Sequence, residues 1–198
     1  LSLFAALPGA RRAIGLLAAL MLAACTTLPS VPPPARDELG DFILEARFAL
    51  ALRPPEAAPQ SAGGRLSWEH RGDGERILIA NPLGIGIAEI ETTPSLSRLR
   101  AADGTLREAA DADELMAAVT GERLPVARLP AWLLGRGDAA SAVERDEQGR
   151  PARLAEAGWQ IDYAYDDDAP DALPARITLR RAEAVELRLR VEEWRGIP

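Results

Sequence analysis

From Asp41 onward the chain alternates apolar and polar side chains over most of its length. Phe42, Leu44, Ala46, Phe48, Leu50 and Leu52 fall on one face, with Glu45, Arg47 and Arg53 on the other, which predicts a half-buried strand. Leu66, Trp68 and His70 alternate with Arg65, Ser67 and Glu69 and predict a second strand over 64–71. The proline-containing stretch from Arg53 to Gly63 between them reads as a long loop. Strands over 76–80 and 85–91 follow, joined by Asn81-Pro82-Leu83-Gly84, in which Asn, Pro and Gly all suit turn positions. Leu83 is the residue that turn chemistry does not ask for. Two more strands, over 95–100 and 105–108, flank Ala102-Asp103-Gly104.

Period two breaks at Asp111. Asp111 or Asp113 can cap a helix running through Val119, with Leu115, Met116 and Val119 on one side and Gly121 as its stop. Leu124-Pro125-Val126 and Leu129 to Gly135 then predict two short helical pieces, each punctuated by proline. They are too apolar to lie in water and are placed across the mouth or open face of the sheet. The alternation returns over 141–146, 151–157, 159–165, 176–180 and 186–192, ending at Trp194. The result is about eleven strands in mostly meander order, with helices inserted between the sixth and seventh. A sheet that long tends to curl or close, and one lined with apolar side chains on its inner face makes a cup.

Upstream of this pattern lie Arg11 and Arg12, then an uncharged run from Ala13 to Ala24, the charged and apolar regions of a secretory leader. At about a dozen residues the run is shorter than the roughly 20 a membrane-crossing helix needs. Arg11-Arg12 also admits a twin-arginine reading, although Ala13-Ile14-Gly15 does not complete that motif. The leader ends in Leu22-Ala23-Ala24-Cys25, which resembles the lipobox of bacterial lipoproteins, where the thiol is acylated before cleavage. Two or more lipid signals anchor a protein stably, whereas one does so only marginally. Thr26 stands where aspartate would retain an enteric lipoprotein in the inner membrane, which favours the outer membrane. The proline-rich stretch that follows reads as an extended tether. The expected organisation is therefore a leader over 1–24, a lipidated tether over 25–40 and one domain over 41–198.

The chain of 198 residues carries a formal charge of −7 at pH 7, and all its basic residues are arginine. Removing Arg11 and Arg12 with the leader leaves 21 arginines against 30 acidic residues, a charge of −9. That balance argues against nucleic acid as a partner and against electrostatic attraction to anionic lipid. Spending the only cysteine on lipid leaves no thiol for a disulfide, so the core alone must hold the fold. His70 is the only histidine, and no Gly-x-Ser-x-Gly elbow accompanies it; neither a hydrolase nor a metal site is expected. Asp166-Asp167-Asp168 with Asp171 lacks the glycine-containing spacing of a calcium loop and reads as a solvated hairpin loop.

Taken together, Trp68, the Asn81-Pro82-Leu83-Gly84 turn, Leu124-Pro125-Val126, Trp132-Leu133-Leu134-Gly135, Gly149-Arg150, Gly158-Trp159-Gln160-Ile161-Asp162-Tyr163, Leu173-Pro174 and Trp194 resemble the LolB family of outer-membrane lipoprotein receptors, over about 41–194. The resemblance implies a mainly β (α+β) fold: an incomplete antiparallel β-barrel with a helical lid over an apolar cavity. It implies a protein that is not an enzyme, accepts lipoproteins from a LolA-like periplasmic carrier and inserts them into the outer membrane, without cofactor or metal. Its expected partners are that carrier, lipoprotein acyl chains and outer-membrane lipids, and it is expected to be a monomer anchored through Cys25 and facing the periplasm. Leu83 occupies the position of the family's membrane-insertion leucine. Candidate acyl-cavity residues are Phe48, Leu66, Trp68, Ile79, Trp132, Leu133, Trp159, Ile161, Tyr163, Leu189 and Trp194. The segment Ala35–Gly40 is shorter than the amphipathic stretch expected before the first strand. A structural or assembly lipoprotein that binds no lipid is the alternative.

Overall fold

Among the described residues, the chain beyond residue 41 forms eleven strands and two short helices: β1 (Phe42–Leu52), β2 (Gln60–Arg71), β3 (Gly74–Ala80), β4 (Gly86–Thr93), β5 (Leu96–Ala101), β6 (Leu106–Ala109), α1 (Ala112–Thr120), a 3-10 turn (Val126–Arg128), α2 (Leu129–Leu133), β7 (Ala142–Arg145), β8 (Pro151–Glu156), β9 (Trp159–Ala164), β10 (Arg176–Arg181) and β11 (Val185–Gly196). The structure is a computed structural model and describes residues 34–54 and 58–197. The leader, Cys25 and the tether up to residue 33 lie outside the described residues.

All strands join one antiparallel sheet in the order β6-β5-β4-β3-β2-β1-β11-β10-β9-β8-β7. The chain thus meanders outward from β1 to the β6 edge and then inward from the β7 edge to β11, which pairs with β1 at the centre. β6 and β7 are the two edges and are not paired with each other, so the barrel stays incomplete. The chain between them carries α1 and α2 from one edge to the other, and both contribute buried residues to the core lining the inner face of the sheet. The expected helical cover of an open sheet is what forms.

Local chemistry explains each end of α1. The Asp111 carboxylate accepts from the Glu114 amide at 2.7 Å, and Gly121 closes the helix with φ +77°, donating to the Ala117 carbonyl at 2.9 Å. Asp113, the other capping candidate, instead accepts from the Val126 amide at 2.9 Å and ties the 3-10 turn back to the helix. Val119 does not join Leu115 in the core as the spacing predicts: it is 42% exposed against 1% for Leu115.

Two further differences from the sequence pattern have simple causes. Residues 60–63 are not loop but the start of β2, paired with β1 from Leu52 opposite Gln60 to Phe48 opposite Gly64. All four are exposed and none is a large apolar residue, so main-chain pairing holds them and no amphipathic signal marks them. Strict alternation would send Trp194 to the outer face of β11. A bulge at Glu192, where Glu45 faces Glu193 but Ala46 faces Val191, returns it inward, and its ring lies edge-on to Phe42 at 5.3 Å.

Residues 35–40, expected as the end of a free tether, are folded onto the domain. Leu39 is 3% exposed; the Arg36 amide donates to the Asp171 carbonyl at 3.1 Å, and the Arg36 carbonyl accepts from the Arg136 guanidinium at 2.7 Å.

Candidate functional site

The inner face of the sheet is built from cross-strand rows of apolar side chains. Trp68, Leu44 and Trp194 make one row; Ile79, Leu66, Ala46 and Val191 the next; Phe48, Leu189, Ile177 and Tyr163 a third; and Leu50, Leu187, Leu179, Ile161 and Leu154 a fourth. Eight of the eleven acyl-cavity candidates lie on these rows, and Trp159 follows on the same face of β9. Trp132 and Leu133 come from α2, with the Trp132 ring 6.0 Å from that of Trp159. All eleven belong to one apolar cluster.

They are not equally enclosed. Trp132, Leu133 and Ile161 have no exposure, whereas Phe48, Leu50, Ile79, Leu187 and Met116 are only half-buried. The half-buried hydrocarbon of the inner face therefore lies on β1, β3 and β11.

Polar contacts fasten the helical cover over the closed part. The Tyr163 hydroxyl donates to the Trp132 carbonyl at 2.6 Å, and burial pushes that phenol far above its ordinary pKa. Glu156 is a second fastening, and alternation along β8 puts it on the inner face. Its carboxylate accepts from Arg128 Nε at 2.6 Å, the Asp138 amide at 3.0 Å and Ser141 Oγ at 2.6 Å. Burial would raise its pKa, but these donors outweigh it and hold it at about 2. Arg181 pairs with Glu122 and donates to the Arg123 carbonyl at 3.0 Å. None of these polar roles except Tyr163's position was singled out from the sequence. Glu156 was findable: it is a charged residue at an inward position of its strand.

At the other end of the inner face, Glu75 accepts from Trp68 Nε1 at 2.6 Å and bonds His70 Nδ1 at 2.8 Å. The histidine ring also packs 5.2 Å from Phe42. The Glu75 bond raises the His70 pKa, with burial opposing it. His70 is thus half-buried and held through Nδ1 by Glu75. Among the described residues no group of three potential ligands could hold a metal ion, and Arg150, stacked 4.1 Å over Tyr165, donates to the Ala169 carbonyl of the aspartate-rich loop at 3.3 Å.

Leu83 lies in the open. Asn81 Oδ1 accepts from the amides of Leu83 at 2.9 Å and Ile85 at 3.0 Å, while the Asn81 carbonyl accepts from Gly84, which has φ +86°. The base of the turn crosses β2 at Gly64, where a Cβ would stand 2.0 Å from the Ala80 carbonyl oxygen, so only glycine admits this path. The frame leaves Leu83 86% exposed. Ile85 at 62% and Ile87 at 43% extend the exposed hydrocarbon along the hairpin, which the sequence pattern did not single out because both read as strand residues.

A family model described as outer membrane lipoprotein LolB matches residues 41–194. The chain is 53% identical over 183 residues to the outer-membrane lipoprotein LolB of Dechloromonas aromatica, covering 92% of this chain and 96% of that one. It is 36% identical over 194 residues to the outer-membrane lipoprotein LolB of Halorhodospira halophila, covering 91% and 92%. Among solved structures, a LolA superfamily protein from Nitrosomonas europaea aligns at a TM-score of 0.44 with 12% identity, covering 81% of this chain and 89% of that one.

Proposed function

The chain belongs to the LolB family of outer-membrane lipoproteins, and from that premise we propose that it takes the acyl chains of other lipoproteins from a LolA-like periplasmic carrier and releases them into the outer membrane. In this reading Cys25 carries the lipid anchor, residues 1–24 are removed, the domain works as a monomer facing the periplasm, and no reaction, cofactor or metal is involved.

The observation that carries the proposal is the division of hydrocarbon within one sheet: an apolar inner face under a fastened helical cover, and a rigid turn that holds Leu83 in solvent. Acyl chains are recognised by their hydrocarbon alone, so a wall of Phe48, Leu66, Ile79 and Leu189 with few polar fixtures suits cargo of any protein sequence. The half-buried positions are where a chain first finds apolar contact. Full occupancy requires α2 to lift from β9, which breaks the Tyr163–Trp132 bond and exposes the Glu156 fastening. Burying an exposed leucine in lipid is worth roughly 1.5–3 kcal/mol, too little to anchor the protein and enough to bias where cargo leaves it.

Uptake of a fluorescent acyl probe by the full chain carrying Cys25→Ala tests the cavity. Saturable uptake is expected, and Phe48→Glu, which sets a charge among the half-buried positions, reduces it at least tenfold while the far-ultraviolet spectrum is unchanged. Absence of saturable uptake by the parent chain contradicts the proposal.

A further inference from the structure

The outer face of the same sheet carries charge in an uneven way. Over most of it the register sets opposite charges against each other: Glu69 faces Arg76, Glu91 faces both Arg76 and Arg98, Arg98 also faces Glu108, Arg153 faces Asp162 and Arg180 faces Glu186. Apart from Glu45 facing Glu193, one row does the reverse. Arg65 of β2 stands opposite Arg47 of β1, Arg47 opposite Arg190 of β11, and Arg190 opposite Arg176 of β10, four arginines across four adjacent strands. Like charges directly opposite in a sheet oppose folding. The bulge residue Glu192 relieves one end of the row, bonding Arg47 at 2.7 Å and Arg65 at 2.6 Å, and Asp166 pairs with Arg176 at 2.8 Å. Arg190 has no carboxylate partner among the described residues. Arg190 itself lines an open groove of about 310 Å³ with Arg47, Arg176 and Arg188, a groove whose lining also takes in Phe48, Ala49 and Leu189. The side chains of Arg47, Arg65 and Arg176 remain about half exposed or more, at 65%, 49% and 50%.

The row ends at the membrane-contact turn. Arg65 is in register with Ala80, the residue immediately before the Asn81 frame that holds Leu83 outward. An apolar tip continuous with a basic strip matches the two zones of a lipid surface, acyl chains and the phosphates just above them. We propose that the Arg65–Arg47–Arg190–Arg176 row docks on the phosphate headgroups of anionic phospholipid and so orients the receptor while the turn engages the bilayer. A whole-chain charge of −7 argues against general attraction to such a surface, and the row makes the attraction local. The inference rests on the proposed membrane contact of the Leu83 turn.

The test uses the full chain carrying Cys25→Ala and flotation with vesicles of phosphatidylcholine, or of phosphatidylcholine with one lipid in three replaced by phosphatidylglycerol. The ratio of the two partition coefficients is compared between variants, so that the leader's own contribution cancels. Arg176→Gln and Arg190→Gln are expected to lower the ratio roughly fivefold each, an effect that high salt removes. The control pair Arg98→Gln and Arg153→Gln, on the same face outside the row, leaves it unchanged. Removing like-charge repulsion should leave the row variants at least as stable as the parent, and acyl-probe uptake should not change, which separates this inference from the proposed function. An unchanged ratio in the row variants overturns the inference, as does an equal fall in the control pair. Displacement from anionic vesicles by inorganic phosphate at unchanged ionic strength would assign the row to a free anion and also overturn it. Capture of an acidic protein through the row without any vesicle preference would do the same.

Discussion

Leu133 and Leu83 are the same side chain put to opposite uses. Leu133, on α2, has no exposure and sits in the sealed half of the inner face with Trp132 and Ile161; Leu83, on the β3–β4 turn, is 86% exposed and framed by Asn81. The first contributes to folding, since hydrocarbon withdrawn from water is the main term holding a chain without disulfides together. The second gives up that contribution and keeps its hydrocarbon available for another phase. The region that stabilises the fold and the exposed turn proposed to meet the membrane are therefore separable by mutation, a separation an enzyme active site seldom permits.

Breaking the sealed half should cost most. Trp132→Ala removes a side chain with no exposure and is expected to lower unfolding free energy by about 3–5 kcal/mol in denaturant titrations. A cost below 1 kcal/mol would mean that α2 is not part of the core. Tyr163→Phe keeps the ring and deletes only the bond to the Trp132 carbonyl, so about 1–3 kcal/mol is expected, together with faster acyl-probe uptake if that bond fastens the cover. Slower or unchanged uptake would show that the cover does not gate access.

Smaller effects follow pH, with opposite signs. Glu156 is held at about 2, below its ordinary value of 4.5, so its contribution is complete above about pH 4.5 and is lost as pH falls toward 2. Glu156→Gln should flatten stability between those limits. His70 is raised above 6.5, so its bond to Glu75 contributes fully below pH 6.5 and is lost as pH rises through the folded-state value. The parent should lose stability relative to His70→Gln across that window, and parallel curves would remove the pair from the account.

Much of this separation was legible in the chain itself. The alternation from Phe42 to Leu52 marked the central strand, and the misplaced leucine in Asn81-Pro82-Leu83-Gly84 marked the turn. The expectation of a curled sheet under helices held because eleven half-apolar strands leave few other ways to bury one face. What was hidden depends on contacts between distant residues. Gln60–Gly63 carries no side-chain pattern because only main-chain bonds hold it. The inward turn of Trp194 needs a bulge that shows only against β1. The arginine row is invisible in any one strand, since each arginine takes an ordinary outward position and only the register of four strands lines them up. The overall acidity of the chain pointed away from it.

Leu83 offers the sharpest measurement. Carrier-loaded lipoprotein, the full chain or its Leu83→Glu variant, and outer-membrane vesicles are combined, and cargo is followed separately onto the receptor and into the vesicles. An exposed surface substitution should move stability by no more than about 0.5 kcal/mol, leave acceptance from the carrier intact and strand the cargo on the receptor. Delivery by Leu83→Glu at the parent rate, or failure at the acceptance step instead, would contradict the division between an inner face that holds hydrocarbon and an outer turn that hands it over.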